Sequence, residues 1–485
     1  MIDTSQLFID GKLVDSSSGR TFDNINPATE EVLGVAADAN AADLDAAVAA
    51  AKRSFGEGTW SSDPAFRAKC LRQLQTALRS RIEEVREVLV AESGCTVSLS
   101  RLMQVEPPIE EMSYVIDLAE SYEYEQPLPD SVNLMGPARR VVRREPVGVV
   151  GAITPWNFPL MLNLVKVNGA LAAGNTVVLK PAPDTPWSAA LLGQLAAEET
   201  DLPPGVFNVV TSADHGIGAQ LTAHADVDLI TFTGSTATGR AVLAAAAPTV
   251  KRTFLELGGK SASIVLDDAD LAAAVGLGAS QVCFHAGQGC ALATRILVPR
   301  SRYAEAAEAA EAAVRGFQYG DPQDPANLMG PLISDKQRTR VLEYLDLGRS
   351  EAKLVCGGGR SPHHDRGYYV EPTLFVDVDP NSRIAQEEIF GPAVALIAFE
   401  DDDDAVEIAN NSIYGLSGVV TSGDLDRAMS VARRIRTGTV AVNGAHWLGA
   451  DSPFGGYKQS GLGRENGIPG FEAFLEMKTI GYPPA

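Results

Sequence analysis

Between residues 5 and 35 short apolar runs alternate with turn formers such as Asp10-Gly11 and Asn26-Pro27, a pattern that predicts short strands or hairpins. From about Ala41 to Ala91 the period lengthens. Leu44, Val48, Ala51 and Phe55 fall on one helical face, and Leu71, Leu74, Leu78, Ile82 and Val85 on another. From Val147 to Val265 short apolar runs, at Val147 to Ile153, Thr176 to Leu179, Val206 to Val210, Leu229 to Thr233 and Ser263 to Leu266, alternate with helical stretches, one of them running on from Asp184 and Ser188 through alanines. Runs this short and this apolar suit buried parallel strands, so the expected class is α/β, a parallel sheet covered by helices.

Length and charge narrow the class of function. With 485 residues, 45% of them hydrophobic, the chain has material for two or three domains with substantial cores. Its 62 acidic residues against 40 basic ones give a net charge of −22, which disfavours nucleic acid and anionic lipid as partners. The five cysteines (Cys70, Cys95, Cys283, Cys290 and Cys356) form no CxxC pair, so neither a metal site nor a disulfide framework is expected. The segment Met1 to Asp10 lacks the basic and apolar regions of a signal peptide, and no apolar run approaches about 20 residues. The expectation is a cytoplasmic protein with reduced thiols and no membrane span.

Chemistry concentrates in Phe284-His285-Ala286-Gly287-Gln288-Gly289-Cys290, where glycines let the backbone approach a bound reactant. Cys290 is the candidate nucleophile, given surroundings that favour its thiolate; a small core cysteine is the alternative. The turn Gly234-Ser235-Thr236-Ala237-Thr238-Gly239-Arg240 follows an apolar strand and either sets backbone N–H groups beside a phosphate or is simply a capped helix start. Asn157 is bracketed by Pro155 and Pro159 in a rigid loop, where it offers its amide or serves only the turn. Glu256 lies between leucines, where desolvation would raise it toward a general base, unless it pairs with Lys260. Glu388 stands beside a tight turn at Gly391-Pro392 and is either functional or a helix-end charge.

The stretches TPWNFP, VVLKPAPDTP, FTGSTATG, LELGGK, FHAGQGC, EEIFGP and PFGGYKQSG occur in the order and rough spacing of the aldehyde dehydrogenase superfamily, and the resemblance covers nearly the whole chain. It resembles the non-acylating, NAD(P)-dependent members. That resemblance implies that the Cys290 thiolate attacks an aldehyde, that the Asn157 amide and the Cys290 N–H hold the oxyanion, and that Glu256 activates the water that hydrolyses the thioester. For the cofactor it implies Lys180 at the adenosine ribose, Gly234 and Ser235 beside the pyrophosphate, and Glu388 with Phe390 at the nicotinamide riboside. Trp156 and Lys166 match family positions nearby. Many NAD-preferring members carry a glutamate three residues after the lysine; here Pro183 stands there, followed by Asp184, which leaves NADP open while keeping NAD ahead.

The resemblance also implies an apolar tunnel lined by Met112, Phe158, Met161, Leu162, Phe284, Leu448 and Phe454, suited to aliphatic or aromatic aldehydes. Trp447 beside it is a packing residue or part of an aromatic cage for a quaternary ammonium. The implied architecture is a Rossmann-like cofactor domain (1–124 and 147–257), an α/β catalytic domain (258–455) and a small β oligomerisation element with the C-terminal tail (125–146 and 456–485), assembled as a homodimer or homotetramer. Asp401 to Asp404 reads as a solvated helix start, and Gly357 to Gly359 with His363-His364 as a surface loop. A catalytically silent protein, or a non-redox cysteine acyl hydrolase using a residue such as His285, is the rival reading.

Overall fold

A computed structural model describes residues 5–484; Met1 to Thr4, which begin the segment read for a leader, and Ala485 lie outside it. The apolar runs of the first half build an eight-stranded sheet. Its order is Gly461–Leu462, Arg252–Glu256, Leu229–Thr233, Val149–Ile153, Thr176–Lys180, Phe207–Val209, Leu7–Ile9, Lys12–Val14. The five strands from Arg252–Glu256 to Phe207–Val209 are parallel, and the pairings that flank them are antiparallel. Leu229–Thr233 and Thr176–Lys180 are buried at every position, which is why they read as continuous apolar runs.

Strand order dictates where a ligand can sit. From Val149–Ile153 the chain adds strands in one direction, through Thr176–Lys180 and Phe207–Val209, then returns to the other side with Leu229–Thr233 and Arg252–Glu256. Loops leaving the carboxyl ends therefore part on either side of Val149–Ile153, and such a switch point opens a crevice at that end of a parallel sheet. Thr154 to Phe158, Lys180, Gly234, Ser235 and Glu256 all lie at those carboxyl ends.

The helical region from Ala41 is three helices, Ala41–Glu57, Pro64–Ser80 and Ile82–Ser93, each started or stopped by local chemistry. Asn40 and Asp43 form a capping box at the first, Asp63 accepts from Phe66 N ahead of Pro64 at the second, and left-handed Gly94 ends the third. The helix expected to run from Asp184 begins instead at Trp187 (Trp187–Glu199), because Pro183 and Pro186 hold the preceding turn out of helical pairing.

The expected strand at Ser263 to Leu266 forms as Ala262–Val265, but it belongs to a second sheet, not to the first. Gly258, Gly259 and Lys260 carry the chain across, and a buried parallel strand has the same apolar pattern in either sheet. That second, seven-stranded sheet runs Lys353–Cys356, Thr373–Val376, Ala393–Phe399, Arg295–Pro299, Ala262–Val265, Gly418–Thr421, Ala441–Val442, with only the Lys353–Cys356 edge antiparallel. The fully buried Arg295 guanidinium donates to the carbonyls of Lys260, Ile408 and Ala409, tying that crossing to a helix end. Asp401 to Asp404 cap and begin the helix Asp402–Asn410. His363 is exposed, whereas His364 stacks on Tyr369 with ring centroids 4.0 Å apart.

A third sheet joins Glu125–Asn133, Gly136–Pro146 and the C-terminal Leu475–Tyr482. It carries the exposed apolar side chains of Val132, Leu134, Met135, Met477 and Ile480. Among the described residues no helix is long and apolar enough to cross a membrane.

Candidate active site

The loop before Cys290 is strained. After the helix Leu271–Cys283 the backbone turns left-handed at His285 (φ 50°), Ala286 (φ 54°) and Gly287 (φ 73°). Such a conformation costs a residue with a side chain about 1–3 kcal/mol. Gly287 is the one position of the three where nothing larger fits, since a Cβ there would lie 2.1 Å from the carbonyl oxygen of Gly391. Hydrogen bonds hold the turn: Gln288 Nε2 donates to His285 O (3.0 Å), and Gln288 Oε1 accepts from Ile333 N (2.9 Å). Asn157 grips it from the other side, because its Nδ2 donates to Gln288 O (2.9 Å) while its own carbonyl accepts from His285 Nε2 (2.7 Å).

That last bond fixes the imidazole. A carbonyl only accepts, so Nε2 carries the hydrogen, Nδ1 is bare, and burial pushes His285 down to about 4. His285 is thus a neutral prop for Asn157, and the cysteine–histidine dyad considered from sequence is not formed.

All five cysteines are free thiols; four are buried and Cys290 is half-buried. The expectation that its surroundings favour the thiolate is not met. Burial first, then the carboxylates of Glu256 and Glu388, hold Cys290 well above the ordinary thiol range. Its proton therefore needs an acceptor, and Glu256 faces it. That carboxyl is 1% exposed, sits at the end of the strand Arg252–Glu256, and neither of its oxygens has a hydrogen bond of ordinary geometry. Burial raises Glu256 far above the usual carboxylate value, Glu465 raises it further, and Lys166 opposes. The alternative pairing with Lys260 does not occur: Lys260 is itself buried and lowered to about 7, by burial first and then by Arg295.

Lys166 and Glu465 form a pair that sequence reading half missed. Lys166 interrupts Pro159–Ala172, a helix buried along nearly its whole length, and its Nζ reaches Glu465 Oε1 (2.6 Å) and Thr231 Oγ1 (3.0 Å) with the Phe254 ring 5.1 Å away. A lysine inside so apolar a helix signals a buried partner. Nothing local names Glu465, 299 residues on.

The candidate cofactor residues lie along the crevice. Lys180, at the end of Thr176–Lys180, is buried and lowered to about 8, by burial against the pull of Asp184 and Asp214; its Nζ donates only to Pro181 O (3.0 Å). Ser235 caps the helix Thr236–Ala246 by accepting from Thr238 N (3.2 Å), and Gly234 N donates to Glu256 O (3.1 Å). The capped helix start is formed, with the N–H groups of Gly234 and Thr238 engaged within the fold. Glu388 Oε1 accepts from Gly259 N (2.9 Å), and its other oxygen lies where a Cβ on Gly258 would be 2.3 Å away. Burial raises Glu388 to about 7. Left-handed Phe390 meets the Trp156 ring edge-on, centroids 5.4 Å apart, and Gln337 Nε2 donates to its carbonyl (2.8 Å).

Of the expected tunnel residues, Phe158 packs edge-on against His285 (5.3 Å), Phe284 against Phe317 (5.6 Å), and Trp447 lies flat on Phe454 (5.3 Å, 2°). Met161, Leu448 and Leu162 are half-buried or buried. Met112 is 2% exposed. The helix Glu106–Ser121 turns it into the core, with Asn168 Nδ2 donating to its carbonyl (3.2 Å), and it lines a cavity of about 50 Å³ with Lys166 and Glu465, not with Cys290. No group of metal-ligating side chains occurs among the described residues.

Comparison with known proteins accords with this geometry. Residues 13–480 match the aldehyde dehydrogenase family model. The chain is 44% identical to 3-succinoylsemialdehyde-pyridine dehydrogenase of a Pseudomonas species, covering 99% of each, and 42% identical to geranial dehydrogenase of Castellaniella defragrans, again covering 99% of each. Among solved structures it resembles an aldehyde dehydrogenase of Mycobacterium tuberculosis in complex with NAD+ (TM-score 0.94, 44% identity, 99% and 98% of the two chains). It also resembles a cysteine-to-alanine variant of aldehyde dehydrogenase C of Pseudomonas syringae with NAD+ and octanal (0.93, 43%, 98% and 96%). With the match spanning almost every residue, and a free thiol facing a buried carboxyl at the mouth of a parallel sheet, this chain belongs to the aldehyde dehydrogenase family.

Proposed function

We propose that the protein oxidises an apolar aldehyde to its carboxylic acid, with NAD, through intermediates held on Cys290. The observation that carries the reading is the Cys290 thiol facing Glu256, a buried carboxyl that desolvation raises well above the usual carboxylate range. Glu256 takes the thiol proton as sulfur attacks the aldehyde carbon. The amide of Asn157, pinned to Gln288 and His285, and the Cys290 N–H donate to the resulting oxyanion. NAD bound in the crevice would supply the hydride acceptor that lets the thiohemiacetal on Cys290 become a thioester. Once Glu256 has given that proton up to solvent it removes a proton from water, the hydroxide adds to the thioester carbon, and the carbon–sulfur bond breaks to release the acid and the Cys290 thiolate, which regains its proton from Glu256.

The residues present suit the dinucleotide. Lys180 offers an ammonium tied only to a neighbouring carbonyl, the Ser235 helix start offers N–H groups for pyrophosphate, and Glu388 keeps one oxygen beyond its bond to Gly259. Asp184, half-buried with Lys180, His215 and Lys336 about it, supplies the carboxylate that Pro183 does not, so NAD is preferred to NADP. The apolar walls at Phe158, Phe284, Leu448 and the Trp447–Phe454 stack suit an aliphatic or aromatic aldehyde, as the geranial and octanal relatives would also have it. Free thiols throughout suit the cytoplasm. The exposed apolar side chains of the third sheet, and the open edge of Leu475–Tyr482, suit a second copy of the chain, in a homodimer or homotetramer.

The test is NADH or NADPH absorbance with a panel of aldehydes, for the wild type, Cys290→Ala and Glu256→Gln. Expected are NADH formation that requires Cys290, and at most one turnover in Glu256→Gln. Ester hydrolysis without any need for nicotinamide would favour the acyl hydrolase instead.

A further inference from the structure

We propose that Glu92 is a positioning residue for NAD, setting the loop from Lys180 to Pro186 against the adenosine end of the cofactor. The loop has little to hold itself. Pro181, Pro183 and Pro186 have no N–H to donate, and within the loop Thr185 N reaches Ala182 O at 3.3 Å while Lys180 Nζ returns to Pro181 O. The helix that follows, Trp187–Glu199, has Pro186 at its cap position and so no capping side chain of its own. Its first N–H groups would be orphaned.

A carboxylate from another helix meets them. Glu92, fully buried near the end of Ile82–Ser93, accepts from Trp187 N at 2.8 Å through Oε2 and from Ser188 N at 2.8 Å through Oε1, with the Ser188 hydroxyl donating to Oε1 as well. Its fourth donor is Asn24 Nδ2 (3.1 Å), in the strand Thr21–Ile25. The hairpin of that strand adds its own grip, since Val35 O accepts from Trp187 Nε1 (3.0 Å) and Gly34 leaves room for the indole, which a Cβ there would meet at 2.8 Å. Beyond, the hairpin turn is bonded to the loop that precedes Thr373–Val376 of the second sheet, where Tyr368 N donates to Pro27 O (3.0 Å) and Gly367 N to Glu30 Oε1 (2.9 Å). Glu92 thus joins the proline loop, the entry hairpin and, through that hairpin, a loop of the second sheet. Four donors on one desolvated carboxylate form a stiff joint. A loop preset by such a joint loses less freedom when the dinucleotide binds.

The inference rests on the reading of Lys180 as an adenosine contact, and the test separates the two. NAD affinity is measured without turnover, by quenching of protein fluorescence, together with the KM for aldehyde, kcat and the melting temperature. The variants are Glu92→Gln, Ser188→Ala, Asn24→Ala and Lys180→Ala. Expected are an NAD dissociation constant raised about tenfold or more in Glu92→Gln and about two- to fivefold in Ser188→Ala, with the KM for aldehyde within about twofold of wild type. If Glu92→Gln does not fold, Ser188→Ala and Asn24→Ala, each expected to raise that constant about two- to fivefold, carry the test in its place. Lower melting temperatures with NAD affinity unchanged, while Lys180→Ala weakens NAD, would overturn the proposal and leave Glu92 a staple of the fold. Unchanged affinity in Lys180→Ala would overturn the adenosine assignment, and this inference with it.

Discussion

Replacing Glu465 by leucine would strand an ammonium in the interior. Lys166 and Glu465 side chains are 0% and 5% exposed and meet at 2.6 Å, and without the carboxylate Lys166 keeps one hydroxyl, Thr231 Oγ1 at 3.0 Å, and the face of Phe254. Removing one partner of a buried pair costs about 3–5 kcal/mol, because the remaining charge stays desolvated and uncompensated. For a cooperative unit of 150–250 residues that is a fall in melting temperature of roughly 6–20 °C. Lys166→Met together with Glu465→Leu removes both charges, and calorimetry should return it to within about 1 kcal/mol of wild type or better. The same variants shift Glu256 in opposite directions. Glu465 raises Glu256 and Lys166 lowers it, so Glu465→Leu moves the acid limb of thioester hydrolysis to lower pH and Lys166→Met moves it higher. A Glu465→Leu protein that melts with the wild type, or a double variant no better than the single one, would refute the reasoning.

Three further outcomes follow from the strained loop and the apolar wall. Gly287→Ala puts a Cβ 2.1 Å from Gly391 O at φ 73°, and should cost about 3 kcal/mol or more and slow alkylation of Cys290 as well as turnover. His285, lowered by burial to about 4 in the fold against about 6.5 when unfolded, contributes stability that is complete above pH 6.5 and is lost as pH falls toward 4. The urea-stability difference between wild type and His285→Phe should therefore shrink by about 3 kcal/mol between pH 7 and pH 4; a difference independent of pH would contradict a neutral, buried ring. Trp447→Ala breaks a flat stack on Phe454, worth about 0.5–1.5 kcal/mol, so the KM for long or aromatic aldehydes should rise about 2- to 12-fold while that for acetaldehyde barely moves.

What could be read from the sequence was local. Glycines, prolines and flanking leucines single out Cys290, Asn157 and Glu256 as candidates beside blander readings, the resemblance across seven motifs gives them their roles, and the buried strands show because apolar runs are their own signature. Periodicity alone did not tell which sheet Ala262–Val265 joins, since buried parallel strands of two sheets share one apolar pattern; only the resemblance, with its boundary after 257, set it apart. The left-handed turn at His285 and Ala286 carries no mark either, for neither residue is glycine or asparagine, and only tertiary hydrogen bonds hold it there. The charge state of Cys290 depends on Glu256 and Glu388, and that of Glu256 on Glu465, all brought near by folding alone.

The short strand Gly461–Leu462 bears on how the chain is made. It pairs with Leu255 and Glu256, and Ser460 O accepts from Leu257 N (2.9 Å), so the outermost rung of the first sheet is laid by residues that leave the ribosome about 200 positions later. At ordinary rates of synthesis that interval is roughly 10–40 s. Throughout it the nascent chain carries an open β edge beside its future base, an invitation to pair with a neighbouring chain. Glu465 arrives in the same late segment, so until then Lys166 has no counter-charge. A ribosome stalled before residue 460 therefore releases a cofactor sheet with neither its last strand nor its buried ion pair, and the pool of such fragments is where chaperone demand and proteolysis of this protein should concentrate.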